Sequence, residues 1–292
     1  MSEAGIAAAR AGAPLGVFDS GLGGLTVARA LRARLPSERI VYLGDTARVP
    51  YGTRSAETVV RYARGCARLL IERQVKALVV ACNTVSAVAL DILRAELDLP
   101  VLGVIEPGAR AAVQALERLR AAGGGTPKIG VLGTAGTVAS GAYPRAVGQI
   151  STRLEVVANA APLLVPLVEE GWLEGDVPRL AVERYVEPLI AQGARVIVLG
   201  CTHYPLLKST IFEVARKLAG VEVPVVDSAE ATADAVAGFI ADERIVSNQD
   251  EPGAEQELEL LVTDLPSAFG RVAERFLGMS APRVTQIDLG PA

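Results

Sequence analysis

Short apolar runs separated by stretches of helical periodicity are the feature of this chain that most narrows its fold. The runs are rich in Val, Ile and Leu and lie at 15–19, 39–44, 77–82, 100–105, 128–133, 154–158, 195–201 and 223–227. Consecutive apolar positions are typical of parallel strands that are covered on both faces. The pattern predicts an α/β protein with doubly wound parallel sheets. Ligands of such sheets bind beyond the carboxyl ends of the strands, so we expect the residues after each run to form the site.

The two halves of the chain repeat one pattern. GVFDS at 16–20 resembles GVLGT at 130–134, and ALVVACNT at 77–84 resembles VIVLGCTH at 196–203, with the Gly-rich stretch AAGGGTP at 121–127 between them. The repeat predicts two similar α/β domains with the active site in the cleft between them.

The domain boundaries follow from this repeat. We expect a discontinuous first domain made of 15–109 and 224–278, and a second domain made of 110–223. A final strand and helix, LELLVTD and SAFGRVAERFLG, are expected to pack back on the first half, and 1–14 and 279–292 are expected to be flexible tails.

The composition argues against several classes of function. The 29 basic and 33 acidic residues are scattered, so no basic stripe is present to bind nucleic acid. No uncharged apolar run reaches the roughly 20 residues needed to cross a bilayer, and we expect a cytoplasmic protein without a membrane partner. Three cysteines without CxxC spacing and a single histidine favour neither a disulfide scaffold nor a zinc site.

Two of the cysteines have a position that suggests chemistry. Cys82 and Cys201 each end a predicted buried strand, at what we expect to be a helix N-terminus, where amide dipoles lower the pKa of a thiol from its usual ~8.5. Cys66 lies within a helical run and is interpreted as a small buried apolar residue. Matching places in two repeated halves favour a functional role for Cys82 and Cys201 together.

A pair of thiols on opposite sides of one ligand suits the inversion of a stereocentre. One thiol removes a proton from carbon and the other returns a proton to the opposite face, because a thiol pKa can be tuned close to neutrality. His203, two residues after Cys201, is placed to orient that thiol or exchange protons with it. Asp19 is the corresponding candidate for Cys82.

Asp19 also opens the glycine-rich turn DSGLGG at 19–24, between a strand and a helical stretch. Such a turn either binds an anionic group or merely joins strand to helix. Its glycines lack the GxGxxG spacing, so a dinucleotide is not expected. A pyridoxal cofactor is not expected either, since none of the four lysines follows a strand, and a Schiff base needs one in the site.

At the level of motifs the chain resembles the glutamate racemase family over about 15–278. The matching segments are GVFDSGLGGLTV, YLGDTARVPYG, VVACNTVSA, GVIEPG, VPLVEEG, LGCTHYPLL and VTDLPSAFGRVAERFLG. The resemblance implies a racemase that needs no cofactor and supplies D-glutamate for peptidoglycan, working as a homodimer. It also implies that Cys201 acts on L-glutamate and Cys82 on D-glutamate.

Further site residues carry over from the same motifs. The resemblance implies catalytic roles for Cys82, Cys201, Asp19, His203 and Glu169. It implies glutamate binding by Asp19, Ser20, Tyr51, Gly52, Asn83, Thr84, Thr134, Thr137, Thr202 and His203. Asp45 and Glu169 lie in the GDxxxxPYG and VEEG loops, where a carboxylate either tunes the site or caps its loop.

Two other functions stay open from the sequence. The first is the same fold with another substrate or reaction, as in aspartate racemase or the related single-cysteine decarboxylases; the two cysteines disfavour the decarboxylases. The second is a non-catalytic module that binds a small anion.

Overall fold

The computed structural model describes residues 12–121, 127–242, 245, 257–267 and 269–290. Most of the Gly-rich stretch at 121–127, most of the predicted N-terminal tail and most of residues 243–256 lie outside these ranges. The chain divides into two compact units, the first made of 1–103 with 232–292 and the second made of 104–231.

The strands of the described ranges are numbered in chain order. They are β1 (Leu15–Asp19), β2 (Ile40–Gly44), β3 (Ala77–Val80), β4 (Val101–Gly103), β5 (Lys128–Gly133), β6 (Val156–Ala160), β7 (Ala194–Gly200), β8 (Val225–Asp227), β9 (Leu258–Val262) and β10 (Val284–Gln286).

The α-helices of the same ranges follow most of these strands. They are α1 (Leu25–Arg34), α2 (Ala56–Glu72), α3 (Asn83–Val88), α4 (Leu90–Glu96), α5 (Ile105–Ala121), α6 (Ala135–Ala139), α7 (Ala142–Ile150), α8 (Leu164–Glu170), α9 (Asp176–Ala191), α10 (Lys208–Ala219), α11 (Ser228–Ala241) and α12 (Phe269–Leu277). Short 3-10 turns lie at Thr46–Arg48, Tyr51–Thr53 and Tyr204–Leu207. Among the described helices, none has both the length and the apolar character required to span a membrane.

The first unit contains a parallel sheet of order β10-β9-β2-β1-β3-β4. Strands β1 and β2 are buried at every position, as the apolar runs predict. Helix α2 shows how the flanking layer forms: Ser55 accepts a hydrogen bond from the Thr58 amide at its start, and Val59, Ala63 and Cys66 lie on its buried face at spacings of four and three residues. Strand β9 pairs with β2, so the chain does return to the first unit after leaving the second.

The second unit contains a parallel sheet of order β6-β5-β7-β8. This order matches β2-β1-β3-β4 of the first unit position for position. The internal repeat read from the sequence is therefore a repeat of topology, and the prediction of two similar parallel-sheet α/β domains is confirmed.

Several predicted boundaries differ from those of the structure. The sequence predicts residues 224–231 in the first domain, but β8 pairs with β7 and so belongs to the second sheet. It also predicts residues 104–109 there, but they fall in the second unit, where α5 starts. Part of the predicted C-terminal tail is ordered, because β10 pairs with β9 at the edge of the first sheet. Strand β6 begins and ends two residues later than the predicted run 154–158.

Candidate functional site

The strand order of each sheet reverses at one place, which is where ligands of doubly wound proteins bind. In the first sheet the reversal lies between β1 and β3, and in the second between β5 and β7. Cys82 comes two residues after β3, and Cys201 comes directly after β7. Each cysteine therefore follows a strand, as the sequence predicts, and lies at the reversal point of its own sheet.

The first set of predicted site residues, here named the Cys82 group, consists of Asp19, Ser20, Cys82, Asn83 and Thr84. It is built on the ends of β1 and β3, which pair side by side. Cys82 has extended backbone angles and is the N-terminal cap of α3, so its predicted place at a helix start is correct. Its thiol is buried and donates to the Ser20 hydroxyl over 3.4 Å. Asn83 and Thr84 are buried in the first turn of α3. The structure thus brings together the site residues predicted after β1 and β3.

Asp19 is the last residue of β1 and is buried. Its Oδ2 accepts a hydrogen bond of 2.9 Å from the Gly21 amide. A Cβ at position 24 would lie 2.5 Å from the Asp19 Cβ and 2.9 Å from the Ala81 Cβ. Gly24 is therefore required so that α1 can begin against the Asp19 side chain.

A buried phenol beside this group was not predicted. Tyr42 of β2 donates to the Gly21 carbonyl over 2.8 Å. Burial raises the pKa of Tyr42 well above its ordinary value, and the negative charges of Asp19 and Cys82 raise it further. The sequence does carry a signal for Tyr42, because this residue opens the YLGD stretch of a matching motif. Its position within an apolar strand is equally typical of a core residue.

Asp45 is a loop-holding carboxylate. Its Oδ2 accepts hydrogen bonds from the Tyr51 hydroxyl and from Arg48 Nε, the latter 2.7 Å long, and its Oδ1 accepts one of 2.9 Å from the Thr263 hydroxyl. This arrangement favours the loop-capping alternative. The buried Tyr51 hydroxyl is directed to Asp45, while Gly52 is partly exposed beside it.

In the second unit, Cys201, His203 and Glu169 form a chain of contacts. The Sγ of Cys201 lies 3.8 Å from His203 Nδ1, and His203 Nε2 lies 2.9 Å from Glu169 Oε1. Both Cys201 and His203 are buried, whereas the Glu169 side chain is half exposed. Burial lowers the pKa of His203, but its hydrogen bonds to Cys201 and Glu169 outweigh burial and raise the pKa to about 10.

The local structure after Cys201 differs from the prediction. Cys201 was expected at a helix N-terminus, but a turn follows it, and the next helical segment is the 3-10 turn Tyr204–Leu207, which His203 caps. The Pro at position 205 and the tight Cys201–Tyr204 turn delay the helix. The polar partner that the structure gives Cys201 is therefore an imidazole and not the start of a helix.

The predicted threonines line the ends of the same two strands. Gly133 of β5 is paired with Gly200 of β7, so the residues that follow both strands start side by side. Thr134 caps α6 by accepting from the Thr137 amide, and its hydroxyl donates to the Thr137 hydroxyl over 3.0 Å. Thr202 is buried next to Cys201.

Two further tyrosines of the second unit were not predicted. The Tyr204 hydroxyl contacts the carbonyls of Ala161 at 2.8 Å and Gly133 at 3.2 Å. Tyr143 is buried near Cys201, and burial raises the pKa of its phenol. The Tyr204 hydroxyl thus holds backbone carbonyls at the ends of β5 and β6.

Cys66 is fully buried in the core of the first unit, and burial raises the pKa of its thiol. Its interpretation as a packing residue agrees with this environment. Within the described ranges, no group of three or more His, Cys, Asp or Glu side chains is arranged to hold a metal ion.

Comparison with known proteins decides the family. The family model of Asp/Glu/Hydantoin racemases matches residues 25–236, more than two thirds of the chain. The chain belongs to this family. A glutamate racemase from Syntrophus aciditrophicus is 46% identical over 276 residues, which cover 94% of this chain and 97% of that protein. The chain is thus a racemase of the glutamate racemase group, and the resemblance drawn from its motifs is confirmed.

Solved structures agree with this assignment. A glutamate racemase isoform from Bacillus anthracis matches with a TM-score of 0.85 and 38% identity, over 96% of this chain and 98% of that one. The glutamate racemase of Francisella tularensis, solved in complex with D-glutamate, matches with a TM-score of 0.83 and 32% identity over the same shares of the two chains. These matches extend the agreement from sequence to fold.

Proposed function

We propose that this chain interconverts L- and D-glutamate without a cofactor, with Cys82 and Cys201 as the acid and base on opposite faces of the α-carbon. The observation that carries the proposal is that each cysteine is buried at the reversal point of its own sheet, among polar side chains of the same unit. The glutamate racemase relatives and the D-glutamate bound to one of them support the choice of substrate.

The contacts of Cys201 suit the removal of a proton from L-glutamate. A His203 pKa of about 10 means that the imidazole is protonated at neutral pH when it lies beside Cys201 and Glu169. The Cys201 sulfur, 3.8 Å from His203 Nδ1, is assigned as the base that accepts the α-proton. Glu169 holds the ring through Nε2, so Nδ1 faces the sulfur.

The Cys82 group completes the exchange. The C–H bond of L-glutamate breaks, its proton moves to the Cys201 sulfur, and the electron pair stays on the α-carbon. The Cys82 thiol then delivers its own proton to the opposite face and becomes a thiolate. Ser20 contacts the Cys82 sulfur and so can stabilise that thiolate by donating its hydroxyl proton. Proton exchange with solvent resets both cysteines.

The α-proton of an amino acid is weakly acidic, so the carbanion needs stabilisation from fixed dipoles. We assign this role, and the binding of the two carboxylates of glutamate, to the hydroxyls and amides at the strand ends. They are supplied by Ser20, Asn83, Thr84, Thr134, Thr137 and Thr202, and Gly52 adds an amide from the turn Tyr51–Thr53. Asp19, with its carboxylate held by the Gly21 amide, is assigned to the substrate ammonium group and to Cys82.

In the cell we propose that the enzyme works as a cytoplasmic homodimer and supplies D-glutamate for peptidoglycan. The homodimer and the role in peptidoglycan follow from the family resemblance, and the cytoplasmic location is the expectation drawn from the sequence.

Circular dichroism tests the activity. The purified protein is mixed with L-glutamate without any cofactor, and the ellipticity is expected to fall to zero as the racemate forms. L-aspartate serves as the matched substrate, and its signal is expected to stay constant. A constant L-glutamate signal would contradict the proposed function, and decay of L-aspartate alone would assign the other substrate.

A further inference from the structure

We infer that Tyr42 is a positioning residue for the Cys82 group, acting through the Gly21 peptide on Asp19 and Ser20. The inference rests on the proposed function for the chemistry of Cys82. It concerns a buried residue of β2 that lies behind the site.

The Tyr42 side chain is fixed along its whole length. Tyr42 lies in the middle of β2, paired with Val17 of β1 and Leu260 of β9, and it is fully buried. Its hydroxyl lies at the end of a ring that cannot move without opening the core. Because the packed sheet holds the ring, the 2.8 Å hydrogen bond holds the Gly21 carbonyl in one position.

Gly44 makes this contact possible. A Cβ at position 44 would lie 2.4 Å from the Gly21 oxygen and 3.3 Å from Cε1 of Tyr42. The absent side chain leaves the space in which the Tyr42 ring and the Gly21 carbonyl meet. Tyr42 and Gly44 together thus bind the Gly21 carbonyl at the carboxyl end of the sheet: Tyr42 donates the hydrogen bond, and Gly44 leaves the space for it.

Gly21 is connected to both Asp19 and Ser20, the polar residues next to Cys82. The Gly21 amide donates to Asp19 Oδ2 over 2.9 Å, while the preceding residue, Ser20, has its hydroxyl 3.4 Å from the Cys82 sulfur. The Gly21 residue is therefore held at its carbonyl by Tyr42 and at its amide by Asp19. Release of the carbonyl would let the Ser20 hydroxyl move away from the sulfur.

Tyr42 does not transfer protons in this scheme. Burial and the charges of Asp19 and Cys82 raise the pKa of its phenol well above the ordinary value, so the hydroxyl remains a donor throughout the pH range in which thiols titrate. Its contribution is a constant geometry, which keeps the Ser20 hydroxyl available to the Cys82 thiolate.

Alkylation of the cysteines tests this role without any substrate. Iodoacetamide is reacted with the intact protein over a range of pH, and peptide mass spectrometry gives the rate for each cysteine. Tyr42→Phe keeps the ring and removes only the hydroxyl. We expect the pH of half-maximal alkylation of Cys82 to rise by about one unit, because the thiolate loses a hydrogen bond, while that of Cys201 stays unchanged.

Two more variants distinguish the positioning of the Ser20 hydroxyl by Tyr42 from a general loosening of the first unit. Ser20→Ala is expected to shift the Cys82 midpoint by the same amount, and the double variant is expected to show no further shift, because both changes remove one interaction. Tyr204→Phe removes a matched buried hydroxyl that contacts backbone carbonyls in the second unit, and it is expected to leave the Cys82 midpoint unchanged.

The kinetics supply a second readout. With D-glutamate, Tyr42→Phe is expected to lower kcat roughly fivefold with little change in KM, since the substrate does not contact Tyr42. An unchanged Cys82 midpoint, with alkylation either equally fast or faster at every pH, would overturn the inference. So would additive shifts in the double variant. A wild-type protein that fails to racemise glutamate would refute the proposed function, but the alkylation result would still decide the role of Tyr42.

Discussion

The Nδ1 atom of His203 lies 3.8 Å from the sulfur of Cys201, two residues earlier in the chain. This contact gives the second unit an imidazole beside its thiol, whereas the first unit has the Ser20 hydroxyl beside Cys82. The two repeated halves have thus kept the place of the cysteine and changed its partner. A racemase that acts on two enantiomers can use such a difference to tune each thiol separately.

His203→Asn tests whether the imidazole serves Cys201 in particular. The change removes the imidazolium that lies beside the Cys201 sulfur, so we expect kcat from L-glutamate to fall roughly 10²-fold, and kcat from D-glutamate to fall less. The ratio of the two kcat/KM values is fixed by the equilibrium and serves as an internal check. Equal losses of kcat in the two directions would mean that His203 only positions the substrate.

The raised pKa of His203 also predicts a pH dependence of stability. The folded pKa of about 10 lies above the unfolded value of about 6.5, so between these values the folded state binds one more proton. The contribution of His203 is therefore complete below pH 6.5, declines as the pH rises, and is lost above pH 10. Urea unfolding should show the free energy of unfolding falling over this window in the wild type, with a smaller fall in His203→Asn. Parallel curves would contradict the raised pKa.

The cysteine pair predicts a simple pattern of loss. Cys82→Ala and Cys201→Ala are each expected to lower racemisation by at least about 10³-fold in both directions, because the proposed mechanism uses both thiols in every turnover. Cys66→Ala is the matched control, since that thiol is buried in the core of the first unit, and we expect nearly full activity. Circular dichroism with both enantiomers measures all three. Near wild-type activity in Cys82→Ala would refute its assignment.

Gly24 offers a test of how tightly Asp19 is held. A Cβ at position 24 meets the Asp19 Cβ at 2.5 Å, so Gly24→Ala is expected to displace the carboxylate and lower kcat/KM roughly tenfold or more. Gly270→Ala is the control, because a Cβ there meets nothing within 4 Å. It should leave the activity unchanged. Wild-type kinetics in Gly24→Ala would show that the exact place of Asp19 does not matter.

Asp45 is expected to affect stability more than chemistry. Asp45→Ala leaves the buried Tyr51 hydroxyl and Arg48 without their shared acceptor, at a cost of about 2–4 kcal/mol in the free energy of unfolding. Urea unfolding measures this. Glu96→Ala breaks an exposed ion pair with Arg64 in the same unit and should change the midpoint far less. Equal effects of the two changes would contradict the role of Asp45 as the centre of the loop network.

The sequence predicted the sheets and the place of both cysteines, because fully buried parallel strands produce long apolar runs and the residues after them are restricted to one edge. It could not show that β8 belongs to the second sheet, since an apolar run does not state which strand it pairs with. It also did not single out Tyr42 or show that the Tyr51 hydroxyl donates to Asp45. Both hydrogen bonds connect a side chain to a group in another segment of the fold, and the pattern of apolar residues does not predict such pairs.

The isotope content of the product tests the two-thiol mechanism most directly. L-glutamate is incubated with the enzyme in D₂O, the enantiomers are separated at low conversion, and mass spectrometry measures deuterium at the α-carbon. If Cys201 keeps the abstracted proton while Cys82 delivers one from solvent, the D-glutamate should be fully α-deuterated while the remaining L-glutamate stays largely protiated. Substantial protium in the D-glutamate, with deuterium washing into the L-glutamate, would show that a single base acts on both faces.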